Sequence, residues 1–378
     1  MSINSYPDPA LLRATVAEHG VPVLLLSCET IRSQYRSLHE ALPGVELHYA
    51  LKPLPHPDVV AALADEGASF DLATNGEVDV VRAAGIAPER CIHTHPIKRD
   101  GDISHALAYG CTTFVVDNPY ELDKFLPYRD QAEILVRISF RSSDAVVDLS
   151  YKFGIAPDQA LDLITKARDM GIKVRGLCFH VGSQSAMSYK HVEAIGFCRQ
   201  LFNLAALEGI ELDTLDIGGG FPVPYTEPVM PIDDFCRPIV AALERDFSGT
   251  RILAEPGRFI SAPSMTLVSS VMGKSERGGT MWYYLDDGLY GSYSGKLYDH
   301  CNYQIIPLKL LEGEEPDERR PSVIAGPTCD SIDVIYEGQM LPELECGDLL
   351  VSPMMGAYTW ATATEFNFFP KTKIVRVD

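Results

Sequence analysis

Gly326-Pro327-Thr328-Cys329-Asp330 sets a thiol beside a carboxylate on a Gly-Pro turn. Gly accepts backbone angles that other residues avoid and Pro locks φ, so the turn presents both groups in a fixed attitude. A thiol can pass a proton, and a carboxylate can hold an ammonium. The plain alternative is a Cys buried as a small hydrophobe, and the pentapeptide alone does not decide between them. Further chemistry-bearing residues recur along the chain. Lys52 follows His48-Tyr49-Ala50-Leu51, Asp71 lies within Ser69-Phe70-Asp71-Leu72, and Arg137 follows Leu135-Val136. His180 follows Cys178-Phe179 and runs into Val181-Gly182-Ser183-Gln184. Asp216-Ile217-Gly218-Gly219-Gly220-Phe221-Pro222 and Glu255-Pro256-Gly257-Arg258 complete the set. A lone Lys is usually solvated and a lone His usually a satisfied core group, but six polar groups in comparable settings form a pattern. The pattern suits a ligand with a phosphate, an aromatic ring and an aldehyde. Lys52 could form a Schiff base, because a desolvated amine is nucleophilic near neutral pH. Gly218, Gly219 and Gly220 would turn bare N–H groups toward phosphate oxygens, with Arg258 adding charge. His180 would stack on the ring, and Glu255 would hold a ring nitrogen cationic.

These residues need elements to carry them. Eight apolar segments, 47–51, 69–73, 91–95, 112–116, 134–139, 175–180, 212–217 and 251–255, read as buried parallel strands. Helical patterns lie between them at 57–66, 76–84, 157–170 and 191–207. Asn75 is the expected cap of the second, with Glu77 and Asp79 suiting its positive end. Eight β-α units in series predict a (β/α)8 barrel over residues 29–262, with a doubly wound sheet as the alternative. In such a barrel functional groups belong at the C-terminal strand ends, and the residues named from Lys52 to Arg258 fall at or near them. Segments 266–271, 281–285, 304–310, 322–325, 348–352 and 373–377 then read as strands with turn-rich links. They predict a β domain, barrel or sandwich, made of residues 1–28 and 263–378, with 22–27 as an extra strand. Residues 312–320 read as a charged surface loop around Pro316.

The 378 residues are 46% hydrophobic and 22% charged, which suits two or three packed units rather than disorder. No run of about 18 apolar residues occurs, so no membrane span is expected. Residues 1–9 lack the basic-then-apolar pattern of a secretory leader. Nine scattered Cys without a Cys-x-x-Cys pair indicate neither a zinc site nor a disulfide framework. No metal is expected, and a reducing cytoplasm fits. A net charge of −20 argues against nucleic acid and would draw in a cationic substrate.

The motifs Tyr49-Ala50-Leu51-Lys52, Phe179-His180-Val181-Gly182-Ser183, 216–222, 255–258, 326–330, Gly356-Ala357-Tyr358-Thr359 and Glu365-Phe366-Asn367 span nearly the whole chain. In them the chain resembles the ornithine/lysine decarboxylases of the alanine-racemase-like fold (fold type III), which use pyridoxal 5′-phosphate (PLP). The resemblance implies a barrel followed by a β domain, in agreement with the element order. It implies that Lys52 carries PLP, that His180 stacks on the pyridine and that Ser183 bonds near the phosphate. Gly218, Gly219, Gly220, Arg258 and Tyr358 would bind that phosphate, with Gly257 of the same motif among the cofactor contacts. Glu255 would pair with the ring nitrogen, and Asp71, Glu77 and Arg137 would order the aldehyde side. Tyr290 matches an aromatic wall of the substrate pocket, and Asp299 an acidic contact to the substrate's distal amine. Cys329 matches the residue that reprotonates the carbanion, and Asp330 a second distal-amine carboxylate, both donated by the partner subunit. Lys152 and Asp333 match an ion pair across that interface. The implied protein is an obligate homodimer with two shared sites. It would decarboxylate a basic L-amino acid, ornithine to putrescine or lysine to cadaverine, in polyamine biosynthesis. PLP would serve as electron sink and Cys329 as general acid.

Alternatives are weighed by the same residues. Alanine racemase-like enzymes place an Arg at the ring nitrogen, whereas Glu255 keeps it protonated and favours decarboxylation. Diaminopimelate decarboxylases must hold a second carboxylate, which Asp299 and Asp330 would repel. The sequence Lys52-Pro53-Leu54 departs from the small residue and Asn usual in the family, which leaves room for a specialised decarboxylase of a modified or carrier-linked amino acid. A non-catalytic protein of the antizyme-inhibitor kind is opposed by the presence of Lys52, Glu255, Cys329 and Asp330. Asp286-Asp287 adds negative charge without an assigned role. Ornithine and lysine differ by one methylene, worth about 1–3 kcal/mol in a pocket, which sequence does not resolve.

Overall fold

A computed structural model describes residues 6–140, 151–315 and 318–378, so Pro316 of the charged loop lies outside the described residues. The strands in chain order are β1 (Val23–Leu26), β2 (Val45–Ala50), β3 (Ser69–Leu72), β4 (Cys91–His93), β5 (Thr113–Val116), β6 (Glu133–Ile138), β7 (Lys173–Phe179), β8 (Thr214–Asp216), β9 (Arg251–Ala254), β10 (Met265–Arg277), β11 (Thr280–Leu285), β12 (Ile306–Pro307), β13 (Arg320–Ala325), β14 (Val334–Leu341), β15 (Leu349–Ser352) and β16 (Lys373–Arg376). The chain forms two compact units: Arg32–Pro222 with Val229–Ile260, and the chain up to Ile31 with Val223–Pro228 and Ser261–Asp378.

In the first unit β2 to β9 close in sequence order into a barrel, every pairing parallel. All eight expected strands are present. Their runs are apolar because they are buried on both faces; Ile92, Val115, Leu135, Cys178 and Leu253 form one buried cluster among them. The intervening helices are amphipathic. Helix Ile232–Asp246 buries Phe235, Cys236, Ile239, Ala242 and Leu243, a helical repeat, and carries Asp233 and Asp234 in its first turn. Helix Asn75–Ala83 corrects one expectation. Its cap is Thr74, whose side chain accepts the Glu77 N–H at 3.4 Å, and Asn75 is the first helical residue. Thr74-Asn75-Gly76-Glu77 is a capping-box sequence, with Glu77 reaching back to the N–H of Ala73. The 157–170 pattern opens as a 3-10 turn, Pro157–Gln159, before helix Ala160–Asp169.

The second unit is a mixed sheet in the order β12-β15-β10-β11-β13-β14, with β1 joined to β10 and to β16. β1 is the extra strand foreseen at 22–27. Between Val271 and Gly273 the register of β10 slips. Such a bulge bends and twists a strand, so one long strand pairs β1 and β15 before the slip and β11 across and after it. β11 shows strict alternation, with Met281, Tyr283 and Leu285 buried. Leu12, Val23, Leu25, Val268, Leu308 and Val351 pack on one another as its core. Two expectations change. The 304–310 segment pairs only through β12 and then turns into helix Leu308–Leu311, since Pro307 lacks the N–H a longer ladder requires. β14 was not foreseen, because Glu337-Gly338 interrupts its apolar run and only Ile335 and Leu341 are buried. Among the described residues no helix is long and apolar enough to cross a membrane, and no cluster of His, Cys, Asp or Glu is set to hold a metal ion.

Candidate active site

In the barrel unit the polar residues gather at the C-terminal ends of the strands. Lys52 is exposed in the turn just past β2. Asp71 pairs in register with Ala50, and its buried carboxylate accepts the Thr94 hydroxyl. Past β7, His180 Nδ1 accepts the Gly182 N–H at 3.0 Å, so the neutral ring carries its proton on Nε2. The glycine run past β8 admits no side chains. A Cβ on Gly218 would lie 2.2 Å from the Phe179 carbonyl oxygen, on Gly219 2.6 Å from that of Glu255, and on Gly220 2.4 Å from that of Gly182. Gly218 and Gly220 also have φ of +67° and +99°, the region Gly tolerates best. The run is tied down by Glu255 N–H to Gly218 O at 2.7 Å, Ser185 N–H to Gly220 O at 2.9 Å and His191 Nε2–H to Gly219 O at 3.1 Å. The Gly218 N–H donates to Asp216 Oδ1 at 2.8 Å. It therefore serves the turn, which revises the expectation that all three glycines face a phosphate. Arg258 is buried after β9 and donates to Ser183 Oγ from Nε at 3.2 Å and Nη2 at 2.9 Å. A Cβ on Gly257 would lie 2.7 Å from Pro53 Cγ, so the unusual Pro53 is packed where Gly257 leaves room.

The electrostatics are those of buried acids facing two cations. Burial, then the Asp216 charge and hydrogen bond, push Glu255 well above the carboxylate range, against the pull of Arg137 and Lys52. Burial pushes Asp216 up to about 6, and its Oδ2 makes no hydrogen bond of good geometry among the described residues. Asp71 is raised well above its ordinary value by burial and then by Glu255, with Thr94 and Lys52 opposing, and Glu77 is raised by burial. His180 is held well below its ordinary value by burial, then by Arg137 and Lys52. The Arg137 guanidinium and the Lys152 ammonium lie 5.6 and 4.9 Å from the centre of the Phe153 ring. A neutral imidazole, a bare glycine cradle near Arg258 and Ser183, and a buried acid pair that retains a proton all fit PLP. Asp216, Thr94 and His191 had no foreseen role. Asp216 was visible in the glycine motif, while Thr94 and His191 carried no sequence signal.

The remaining candidates belong to the β unit. Tyr290 Oη donates to Asp330 Oδ2 at 2.6 Å. That bond pushes the Tyr290 hydroxyl up to about 12 and, first among several causes, holds Asp330 below its ordinary value; the Ile332 N–H adds to the latter. Cys329 is exposed, unlike the seven buried Cys, and so is not a packed hydrophobe. Its N–H donates to Asn367 Oδ1 at 3.0 Å. Asp299 follows the helical turn Gly295–Tyr298 and accepts the Cys301 thiol at 3.2 Å. The two carboxylates assigned to a distal amine thus have different partners. Tyr358 takes a φ of +55°, and its carbonyl accepts the Thr362 hydroxyl at 2.9 Å. Asp333 is buried: Oδ1 accepts from Leu289 N at 2.7 Å, and Oδ2 from Thr328 N at 3.0 Å and Thr328 Oγ1 at 2.7 Å. It braces the 326–330 turn, and three own-chain donors leave one of about four lone-pair directions for any partner cation. Asp287 also proves structural, accepting from Gly288 N, Ser292 N and Thr372 Oγ1.

Comparison with known proteins agrees with this geometry. Residues 28–262 match the pyridoxal binding domain of the pyridoxal-dependent decarboxylases. The chain is 38% identical to lysine/ornithine decarboxylase of Selenomonas ruminantium over 349 residues, 92% of this chain and 87% of that one. It is 35% identical to ornithine decarboxylase of Rattus norvegicus over 356 residues, 89% and 76% of the two chains. Among solved structures it is similar to lysine/ornithine decarboxylase of Vibrio vulnificus complexed with putrescine, with a TM-score of 0.93, 53% identity and 99% of each chain covered. The glycine cradle, the buried acid pair and these matches together make the chain a member of the PLP-dependent ornithine/lysine decarboxylase family, a barrel joined to a β domain.

Proposed function

We propose that the protein is a PLP-dependent carboxy-lyase of basic L-amino acids that converts L-ornithine to putrescine, L-lysine to cadaverine, or both, feeding polyamine synthesis in the cytoplasm. The observation that carries this reading is Asp330, a half-buried carboxylate held in its charged form by the Tyr290 hydroxyl. A fixed negative charge at that place selects an ammonium and rejects the second carboxylate of diaminopimelate. Relatives named lysine/ornithine decarboxylase, with structures holding putrescine and cadaverine, support it.

Lys52, His180, Ser183, Gly219, Gly220, Glu255, Gly257, Arg258 and Tyr358 would hold PLP, whose ring takes up the electrons released as the substrate carboxylate leaves. Glu255 and Asp216 keep a proton in the buried end of the barrel, ready for a basic nitrogen, and then serve as its counter-charge. Neutral His180 offers a ring face without charge repulsion. Arg258 and the N–H groups of Gly219 and Gly220 balance a phosphate, with Gly218 shaping the turn. Asp71, Glu77 and Arg137 fix the surroundings of Lys52. Asp299 and Asp330 hold the distal ammonium, Tyr290 walls it, and Cys329 gives the proton that completes the amine.

Exposure of Cys329 on its own chain, with half-buried Asp330 next to it, supports the donation of both to a second copy. The active protein is then a homodimer with two shared sites, Lys152 of one subunit facing Asp333 of the other across the interface. The test is CO2 release from ornithine or lysine by protein reconstituted with PLP. Lys52→Ala is expected to abolish it, and a variant with full turnover would refute the mechanism.

A further inference from the structure

Residues 364–368 take no part in the chemistry described above, yet they grip the groups that do. The Thr364 N–H donates to the Tyr290 carbonyl at 2.8 Å. The Phe366 ring stacks on Tyr290, with centroids 4.4 Å apart and planes at 27°. Tyr290 Oη in turn holds Asp330 at 2.6 Å, and Asn367 Oδ1 holds the Cys329 N–H at 3.0 Å. To make these contacts the backbone enters the left-handed region twice in succession, at Asn367 (φ +54°) and Phe368 (φ +63°). Asn tolerates that region and an aromatic residue does not. Phe368 is 99% exposed on its own chain, so no burial within that chain offsets the strain. Strain that packing does not repay points to function.

We propose that Asn367 is a positioning residue for Cys329, and that the strained arch 366–368 aims the Cys329 thiol and the Tyr290–Asp330 pair as one body. This rests on the decarboxylase reading, in which Cys329 delivers a proton and Asp330 holds the distal amine. Asp333 fixes Thr328, the residue before Cys329, and Asp330 Oδ1 fixes Ile332 after it. Asn367 fixes the peptide between Thr328 and Cys329 itself, by its N–H. Rotation of that peptide swings the Cys329 Cα–Cβ bond, and with it the thiol, away from a carbon to be protonated.

The holoenzyme is compared with Asn367→Gly, which keeps the left-handed backbone and removes the acceptor, and with Asn367→Asp, which keeps an oxygen acceptor. Amide hydrogen exchange of the peptide carrying Cys329 should accelerate about fivefold or more in the Gly variant. Its kcat for ornithine should fall at least about tenfold, as a small misplacement of a reacting group does, with KM within about twofold and the unfolding midpoint unchanged. Asn367→Asp should restore both the exchange rate and kcat. Wild-type exchange at Cys329 in the Gly variant, or an Asp variant as impaired as the Gly one, would overturn the proposal. Failure of the wild type to release CO2 from any basic amino acid would instead overturn the decarboxylase reading, and exchange at Cys329 still decides the role of Asn367.

Discussion

Replacing Asp216 with Asn removes a charge from the buried end of the barrel and keeps its shape. Asn retains an oxygen for the Gly218 N–H, so the 2.8 Å bond that forms the glycine turn survives. In the folded chain burial pushes Asp216 up to about 6, against an ordinary value of 3.8. A carboxyl whose folded pKa lies above its unfolded one binds more protons in the folded state between those values. Stability is therefore lost as pH rises through that window, from about 4 to about 6. At roughly 1.4 kcal/mol per pK unit, the gap costs the wild type about 3 kcal/mol by neutral pH. Glu255, raised in the same direction by burial and by Asp216 itself, loses part of its own penalty when Asp216 is neutral. Apo Asp216→Asn should thus unfold in urea at higher free energy than wild type by about 3 kcal/mol or more at pH 7.5, with the advantage nearly gone at pH 4. Far-UV circular dichroism follows both units, whereas the two Trp, Trp282 and Trp360, lie in the β unit. With PLP bound, the cationic ring nitrogen that the proposed function pairs with Glu255 would supply the missing counter-charge, and the advantage should shrink. An Asn variant whose advantage is the same at both pH values would refute the claim that the pair takes up a proton on folding.

Two further substitutions test the two halves of the chemistry. In Gly219→Ala the new methyl would sit 2.6 Å from the Glu255 carbonyl oxygen and 3.3 Å from His180 Nε2, so the cradle must open. PLP affinity, read from the visible absorbance on titration, should fall at least about tenfold while the circular dichroism persists; an unchanged affinity would contradict the cradle. In Asp330→Asn, kcat/KM for ornithine should fall at least about tenfold with little change in unfolding midpoint, since the half-buried Asn keeps an oxygen for the Ile332 N–H. The Tyr290 hydroxyl should also titrate closer to an ordinary tyrosine, because Asp330 is the chief cause of its rise.

The barrel was legible because its strands are largely β-branched and aliphatic runs, and because Asp71, Arg137 and His180 fall at or near their C-terminal ends. The cap at Thr74 was misread by one residue, since Thr74 and Asn75 are both good caps and only the reach of Glu77 decides. β14 was hidden by the exposed Glu337-Gly338 pair. The union of Asp216 with Glu255, and the His191 bond to Gly219, were not legible at all. They arise when β8 and β9 close beside each other and a helix lies over them, which no local pattern encodes. Pro53 stood out as a departure in sequence, and it became intelligible only once Gly257 proved to be the residue it packs against. Cys329 gained most from the structure, because exposure separates it from the seven Cys that are merely packed.

The most direct test of the central claim is CO2 release by the PLP-reconstituted protein from ornithine, lysine, arginine, diaminopimelate and glutamate under one set of conditions. The account predicts turnover of ornithine or lysine, with diaminopimelate and glutamate inert because Asp299 and Asp330 repel a second carboxylate. Turnover of diaminopimelate or glutamate without ornithine or lysine would contradict it.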